Sequence, residues 1–80
     1  MGYKVYEVDI HGEERDYAIR KVQKLLSTIS NDYGEMRVIH GYRQGSVLQK
    51  AIRTQLKHKR IKRRMLTLNQ GETTLILNKL

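Results

Sequence analysis

Two short segments of the sequence join a histidine to a glycine, and each follows a run of apolar and β-branched residues. The first reads Asp9-Ile10-His11-Gly12, and the second reads His40-Gly41 and is followed by Gly45. A histidine with its ordinary pKa of about 6.5 exchanges a proton near neutral pH, and a nearby carboxylate can orient its ring. Glycine lets backbone N–H groups approach a phosphate closely. These residue types are suited to acid–base chemistry on a phosphodiester.

We therefore expect Asp9, His11 and His40 to act at a reacting phosphate. The groups expected to hold the phosphate or a base lie in the same two segments, and they are the backbone of Gly12, Gly41 and Gly45, the Tyr42 ring, the Arg43 guanidinium and Ser46 at the start of a helix. The alternative is structural, since a strand-end Asp9 often caps the next helix and a histidine before glycine is common in turns.

The elements that must position these residues follow from hydrophobic periodicity. Alternating apolar residues predict strands, and apolar residues three or four apart predict helices. The predicted elements are strands at residues 3–10, 35–40, 61–68 and 73–80, and helices at residues 13–30 and 46–58. Residues 69–72 have the composition of a tight turn. Met36 and Met65 are assigned to the core.

The order β-α-β-α-β-β predicts an α/β fold, a two-layer sandwich with a four-stranded mixed sheet and two helices on one face. A strand–helix–strand unit favours parallel pairing, whereas a tight turn makes the last two strands antiparallel. Because ligands bind beyond the carboxyl ends of parallel strands, both His-Gly segments are expected at one edge of the sheet. We expect residues 1–80 to form a single domain.

Composition excludes several classes of protein. The chain has 80 residues and no cysteine, which excludes a disulfide scaffold, a cysteine-type zinc site and a thiol enzyme. No apolar run approaches the roughly 20 residues of a spanning helix, and no secretory signal opens the sequence. A cytoplasmic protein is expected. No tryptophan or phenylalanine is present to anchor a helix at a membrane surface, so no membrane partner is expected.

Charge is concentrated in one part of the chain. The sequence holds 16 Lys and Arg against 8 Asp and Glu, a net charge of +8, and residues 50–64 contain bases without any acid. Such a run favours a polyanionic partner, DNA or RNA, over a solvated face of mixed sign. The bases predicted to contact phosphates are Lys50, Arg53, Lys57, Lys59, Arg60, Lys62, Arg63 and Arg64.

The two segments also resemble the motifs of the Smr (small MutS-related) domain family. Val8-Asp9-Ile10-His11-Gly12 is similar to its L-D-x-H-G motif. His40 to Ser46 is similar to its H-G-x-G-x-G motif, with Arg43 in place of the middle glycine, and Gln49 stands where members often carry a base. The resemblance covers about residues 6–80. It implies a sandwich like the C-terminal domain of translation initiation factor three, and nucleic-acid binding, often with endonuclease or nicking activity.

The leading hypothesis is a monomeric endonuclease acting on DNA or RNA. On RNA, His11 would deprotonate the 2′-hydroxyl without any cofactor, whereas a water nucleophile on DNA would favour help from a divalent cation. Two alternatives stay open. One is a nucleic-acid-binding module without catalysis, and the other is a protein-interaction domain whose basic face meets an acidic partner.

Overall fold

The computed structural model describes residues 3–42 and 46–79. Their elements follow the predicted order, and they are β1 (Lys4–Asp9), α1 (Arg15–Thr28), β2 (Tyr33–Ile39), α2 (Val47–Lys50) continued by a π-helical segment (Ala51–Gln55), β3 (Ile61–Leu66) and β4 (Glu72–Leu77). The predictions for Arg43 and Gly45 fall outside the described residues. No helix in the described ranges is long and apolar enough to cross a membrane.

The four strands form one mixed sheet in the order β1-β2-β4-β3. β1 pairs with β2 in parallel, with Val8 opposite Val38, and β4 is antiparallel to both of its neighbours. The predicted mixed four-stranded sheet is thus confirmed. β2 and β3 run in the same direction, as expected for strands joined across a helix, but β4 lies between them.

The core lies between one face of the sheet and the two helices. Alternation along the strands turns Val8, Met36, Val38 and Leu75 to this face, where they meet the helical residues Ala18, Val22, Leu26 and Ile52, together with Leu56 just after the second helix. Because both helices contribute to the same cluster, they cover the same face of the sheet, as predicted. Removal of this apolar surface from water is the main force that stabilises the domain.

Most elements differ from their predicted bounds by one to three residues, and β2 begins at Tyr33 rather than at residue 35. The end of the second helix and the placement of Met65 have specific physical reasons. The second helix ends at Gln55 rather than His58, because its last turn is wide: the Leu56 N–H donates to the Ala51 carbonyl at 2.7 Å, and Leu56 itself is extended. Met65, assigned to the core, is exposed, since it lies opposite Thr74 on the outer face of the sheet.

Candidate active site and nucleic-acid interface

The carboxyl ends of β1 and β2 bring the two His-Gly segments together. Asp9 is opposite Ile39 in the parallel register, and the Ile10 N–H donates to the Ile39 carbonyl at 2.8 Å. Beyond these strands, a Cβ atom placed on Gly41 would lie 3.3 Å from the His11 Cβ. Gly41 has a φ of +79°, a conformation that favours glycine, so residue type and crowding both fit this position.

Asp9 and His11 form a hydrogen-bonded pair at this edge. Asp9 Oδ1 lies 2.6 Å from His11 Nδ1 and also accepts from the His11 backbone N–H at 3.0 Å. A carboxylate accepts but does not donate, so Nδ1 carries the proton and the neutral ring presents its lone pair at Nε2. The His11 side chain is 70% exposed, which leaves Nε2 open to a substrate.

The pair also shifts the ionisation of both groups. The hydrogen bond and the negative charge of Asp9 raise the pKa of His11, and the hydrogen bonds from His11 lower the pKa of Asp9. The alternative role of Asp9 as a helix cap is wrong, because the Glu14 side chain caps α1 by accepting from the N–H groups of Asp16 and Tyr17. Asp9 thus orients the His11 ring and favours its protonated form.

His11 opens into a cleft of about 630 Å³. One wall is formed by residues 11–13 after β1, and the opposite wall by residues 40–42 after β2. Val47 and Leu48 at the start of α2 and the turn at residues 69–71 close the remaining sides. Tyr42 lies in this cleft and is exposed, which is the position that base stacking requires. Ser46 precedes α2, but its side chain makes no capping hydrogen bond.

Glu13 also lines the cleft, although nothing in the sequence singles it out as a site residue. One of its carboxylate oxygens accepts from Lys21 Nζ at 3.0 Å. The other, Oε1, is buried and has no hydrogen-bond partner in the part of the chain that the structure describes. Three acids lie at the start of α1, and their spacing alone indicates only a favourable interaction with the helix dipole. The tertiary contact with Lys21 is what separates Glu13 from Glu14 and Asp16.

His40 is also in the cleft wall, but it is buried, with 3% of its surface exposed. Its Nδ1 lies 3.0 Å from the Gly41 carbonyl, which can only accept, so Nδ1 carries the proton. Its Nε2 lies 2.9 Å from Thr73 Oγ1, which in turn accepts from Arg53 Nε at 2.8 Å. The Thr73 hydroxyl therefore donates to Nε2, and the ring is neutral.

The predicted catalytic role of His40 is therefore not supported by its position. Both ring nitrogens are used within the protein, and burial lowers the pKa of His40. The ring instead ties β2 to β4 and to the helical segment that carries Arg53. Its contribution is to hold Gly41 in place beside His11.

This assignment predicts opposite titrations for two histidines. In ring-nitrogen NMR spectra, we expect His11 to titrate above its ordinary pKa of 6.5 and His40 below that value. Since the unfolded chain takes up a proton at His40 more readily than the folded one, His40 destabilises the fold as pH falls below 6.5. The Asp9→Asn variant should lower the pKa of His11 and leave that of His40 unchanged. A His40 that titrates above His11 would contradict the hydrogen-bond chain.

Three of the bases predicted to contact phosphates have structural roles instead. Arg60 is 1% exposed, and its guanidinium donates to four carbonyl oxygens. These acceptors lie at the end of α1 and just after β4, and they are Leu26, Ile29, Ser30 and Asn78, at 2.7 to 3.0 Å. Carbonyls at a helix C-terminus lack intrahelical donors, and Arg60, in the turn before β3, donates to them.

The side chains of Arg64 and Arg53 also donate to acceptors within the protein. Arg64 donates to the carbonyls of Ile52 and Leu56, where the second helical segment ends. Arg53 donates to Thr73 Oγ1 and to the Glu72 carbonyl. The predicted phosphate contacts of Arg53, Arg60 and Arg64 are therefore not supported, because their guanidinium groups are engaged inside the protein.

The remaining predicted bases form an exposed set. In the described residues their side chains make no hydrogen bond or ion pair, so all of their charge faces solvent, and they are Lys50, Lys57, Lys59, Lys62 and Arg63. Lys62 and Arg63 lie on β3, which is an edge strand of the sheet. Unpaired, solvent-facing cations of this kind are a favourable surface for a polyanion.

The fold and the site define a class: a two-layer α/β domain with an Asp–His pair at the edge of its parallel strands and a set of exposed bases. The family model of the Smr domain matches residues 8–74, and the chain therefore belongs to the Smr domain family. Membership of this family supports a nucleic-acid-binding module, in keeping with the exposed bases.

Comparison with solved structures supports the same assignment. The Smr domain of MutS2 from Thermus thermophilus superposes with a TM-score of 0.78 at 25% sequence identity, covering 91% of this chain and 98% of that one. Comparison with curated protein sequences gave no match.

Proposed function

We propose that this domain is an endonuclease that cleaves a nucleic-acid phosphodiester with His11 as the general base. The observation that carries the proposal is the hydrogen bond of 2.6 Å between Asp9 Oδ1 and His11 Nδ1, which leaves Nε2 free on an exposed histidine that lines the cleft. A base oriented by a carboxylate and open to solvent is an arrangement suited to abstracting a proton from a hydroxyl group.

RNA is the substrate that a single base serves most directly, because its nucleophile is part of the substrate. His11 Nε2 takes the proton of a 2′-hydroxyl, and the 2′-oxygen then attacks the adjacent phosphorus. The bond from phosphorus to the 5′-oxygen breaks, and that oxygen takes a proton from water. The products are a 2′,3′-cyclic phosphate and a 5′-hydroxyl. Asp9 stabilises the imidazolium that forms during the step.

The surroundings of His11 supply the binding groups. Gly12 and Gly41 border the cleft, and neither carries a side chain that would obstruct a phosphate. Tyr42 offers a ring for an unpaired base, and the exposed bases on and before β3 provide charge for the flanking backbone.

The experiment incubates purified protein with end-labelled single-stranded RNA, with the same sequence as DNA, and with supercoiled plasmid, each with EDTA or Mg²⁺. We expect RNA fragments with cyclic phosphate ends that form in EDTA. Cleavage of DNA alone, or cleavage that requires Mg²⁺, would contradict the use of the 2′-hydroxyl and favour a water nucleophile. Binding without cleavage of any probe would instead establish a non-catalytic binding module.

The binding surface has its own prediction. Neutralising three exposed bases, in the triple variant Lys59→Gln/Lys62→Gln/Arg63→Gln, should lower the slope of log affinity against log salt by about 0.7 to 0.9 for each lost phosphate contact. The measurement is fluorescence anisotropy with labelled RNA over a salt series. Lys79→Gln, an exposed base beyond β4, is the matched control and should keep the wild-type slope. An unchanged slope in the triple variant would remove β3 from the interface.

A further inference from the structure

The turn that joins β3 to β4 carries bare apolar side chains. Leu68 is fully exposed, Leu66 is 64% exposed and Met65 is 45% exposed. We call residues 66–71 the hairpin tip. Leu66 and Leu68 are two residues apart and together leave an exposed apolar patch at the end of the hairpin, whereas Met65 points to the opposite face of β3 from Leu66.

The backbone of the hairpin tip is held firmly although Leu68 itself is free. The Thr67 hydroxyl and Asn69 exchange two hydrogen bonds on either side of Leu68, and Asn69 Oδ1 accepts from the Gly71 N–H at 2.8 Å. Gln49 of α2 donates to the Gln70 carbonyl at 2.9 Å. These contacts hold the backbone on both sides of Leu68, whose own side chain is fully exposed.

The hairpin tip is also part of the cleft. Residues 69–71 line it, and the Gly71 carbonyl accepts from the N–H groups of both His40 and Gly41 at 2.9 Å. Any nucleic acid that places a phosphate near His11 therefore passes close to the tip. The exposed bases Lys62 and Arg63 precede the tip on the same strand.

The positive charge around the hairpin tip indicates which kind of partner its exposed leucines would bind. Residues 50–71 contain no acid, and the chain carries a net charge of +8. Two copies brought together at this edge would place their basic strands side by side, which is unfavourable. A nucleic acid offers both a polyanionic backbone for Lys62 and Arg63 and apolar base faces for the leucines.

From these contacts we infer that the hairpin tip is a wedge: Leu68 inserts between neighbouring bases and opens the stack beside the phosphate held in the cleft. Leu66 packs against the exposed base face. The inference rests on nucleic-acid binding by the proposed function, and it adds a preference for substrates whose stacking is already weakened. Proteins that insert apolar side chains between base steps must overcome the unstacking free energy, which is smaller at a bulge or mismatch.

The test uses RNA hairpins that carry 2-aminopurine in the stem, either beside a bulged base or in a fully paired stem. Its fluorescence rises when the base is unstacked. All proteins carry His11→Ala, so that binding is measured without cutting, and cleavage of the same probes by wild-type protein is measured separately. We expect a fluorescence rise on binding, and a preference for the bulged probe of about tenfold, the size expected when a modest part of the unstacking cost is avoided.

Leu68→Ser should abolish both the fluorescence rise and the preference while leaving the salt dependence of binding unchanged. Because the Leu68 side chain is fully exposed, this variant should fold normally. The matched control is Val5→Ser, an exposed aliphatic residue on β1 at the opposite edge of the sheet, which should behave as wild type. Retention of the fluorescence rise in Leu68→Ser would overturn the wedge.

The outcomes separate this inference from the proposed function. A Leu68-dependent rise without any cleavage by wild-type protein would support the wedge and contradict the endonuclease. Cleavage with no effect of Leu68→Ser would support the endonuclease and overturn the wedge. A change of oligomeric state in Leu68→Ser, measured by analytical ultracentrifugation, would overturn the wedge in favour of contact with a second copy.

Discussion

Replacing His11 with alanine is expected to lower the rate of RNA cleavage by about 100-fold to 10,000-fold, the contribution usual for a positioned general base. Affinity for RNA should change little, because the His11 side chain is not among the exposed bases that are proposed to contact the phosphate backbone. The measurement is single-turnover cleavage at saturating protein, with affinity from anisotropy in the same buffer. Equal losses of rate and affinity would contradict a catalytic role.

The matched variant for this prediction is Asp9→Asn, which keeps the shape of the side chain and removes its charge. Because Asp9 raises the pKa of His11, the acid limb of the pH–rate profile should move to lower pH in this variant. In wild-type protein the base form of His11 is lost as pH falls through a raised pKa, so activity should decline from above 6.5. A profile that Asp9→Asn does not move would show that another group is the base.

Replacing Arg60 with methionine is expected to destabilise the fold by about 3 to 5 kcal/mol, since it leaves several carbonyls in the interior without a donor. That is a large part of the roughly 5 to 15 kcal/mol that stabilises a domain. The measurement is urea unfolding, where the midpoint should fall while the slope stays constant. Arg60→Lys, which keeps the charge but not the fork of donors, should recover only part of the loss.

Lys59, the residue before Arg60, provides the control variant. Lys59 is exposed, so Lys59→Met should change the free energy of unfolding by no more than about 0.5 kcal/mol. Lys59→Met should instead weaken RNA binding at low salt. If Arg60→Met and Lys59→Met had equal stability, the four hydrogen bonds of Arg60 would not be the anchor of α1.

Patterns within one element made much of the fold predictable. The alternation in β1 and the helical spacing of Ala18, Val22 and Leu26 are local, and the tight turn before β4 fixes an antiparallel pair. The parallel pairing of β1 with β2 then brings His11 to Gly41. For this reason the pair Asp9 and His11 was visible in the sequence as a candidate site.

Predictions that depend on distant contacts were the ones that changed. The neighbouring sequence does not distinguish Arg60 from Lys59. The carbonyls that accept hydrogen bonds from Arg60 belong to residues 26–30 and to Asn78, which are distant from it in the sequence. Met65 was misplaced by the irregular register between Ile61 and Arg63, where the bulge of one residue reverses the faces of the side chains that follow. The wide last turn of the second helix keeps an ordinary helical pattern of apolar residues and so leaves no trace in the sequence.

The position of β4 has a consequence for how this protein is made. β4 follows β3 in the sequence, yet it lies between β2 and β3 in the sheet. As the chain leaves the ribosome, β3 emerges before the strand with which it pairs, and its backbone groups stay open to other chains until β4 follows. Lys62 and Arg63 on that strand disfavour pairing with a neighbour during this interval. Lys62 and Arg63, which are proposed to bind RNA in the folded domain, would therefore also disfavour aggregation of the chain before folding is complete.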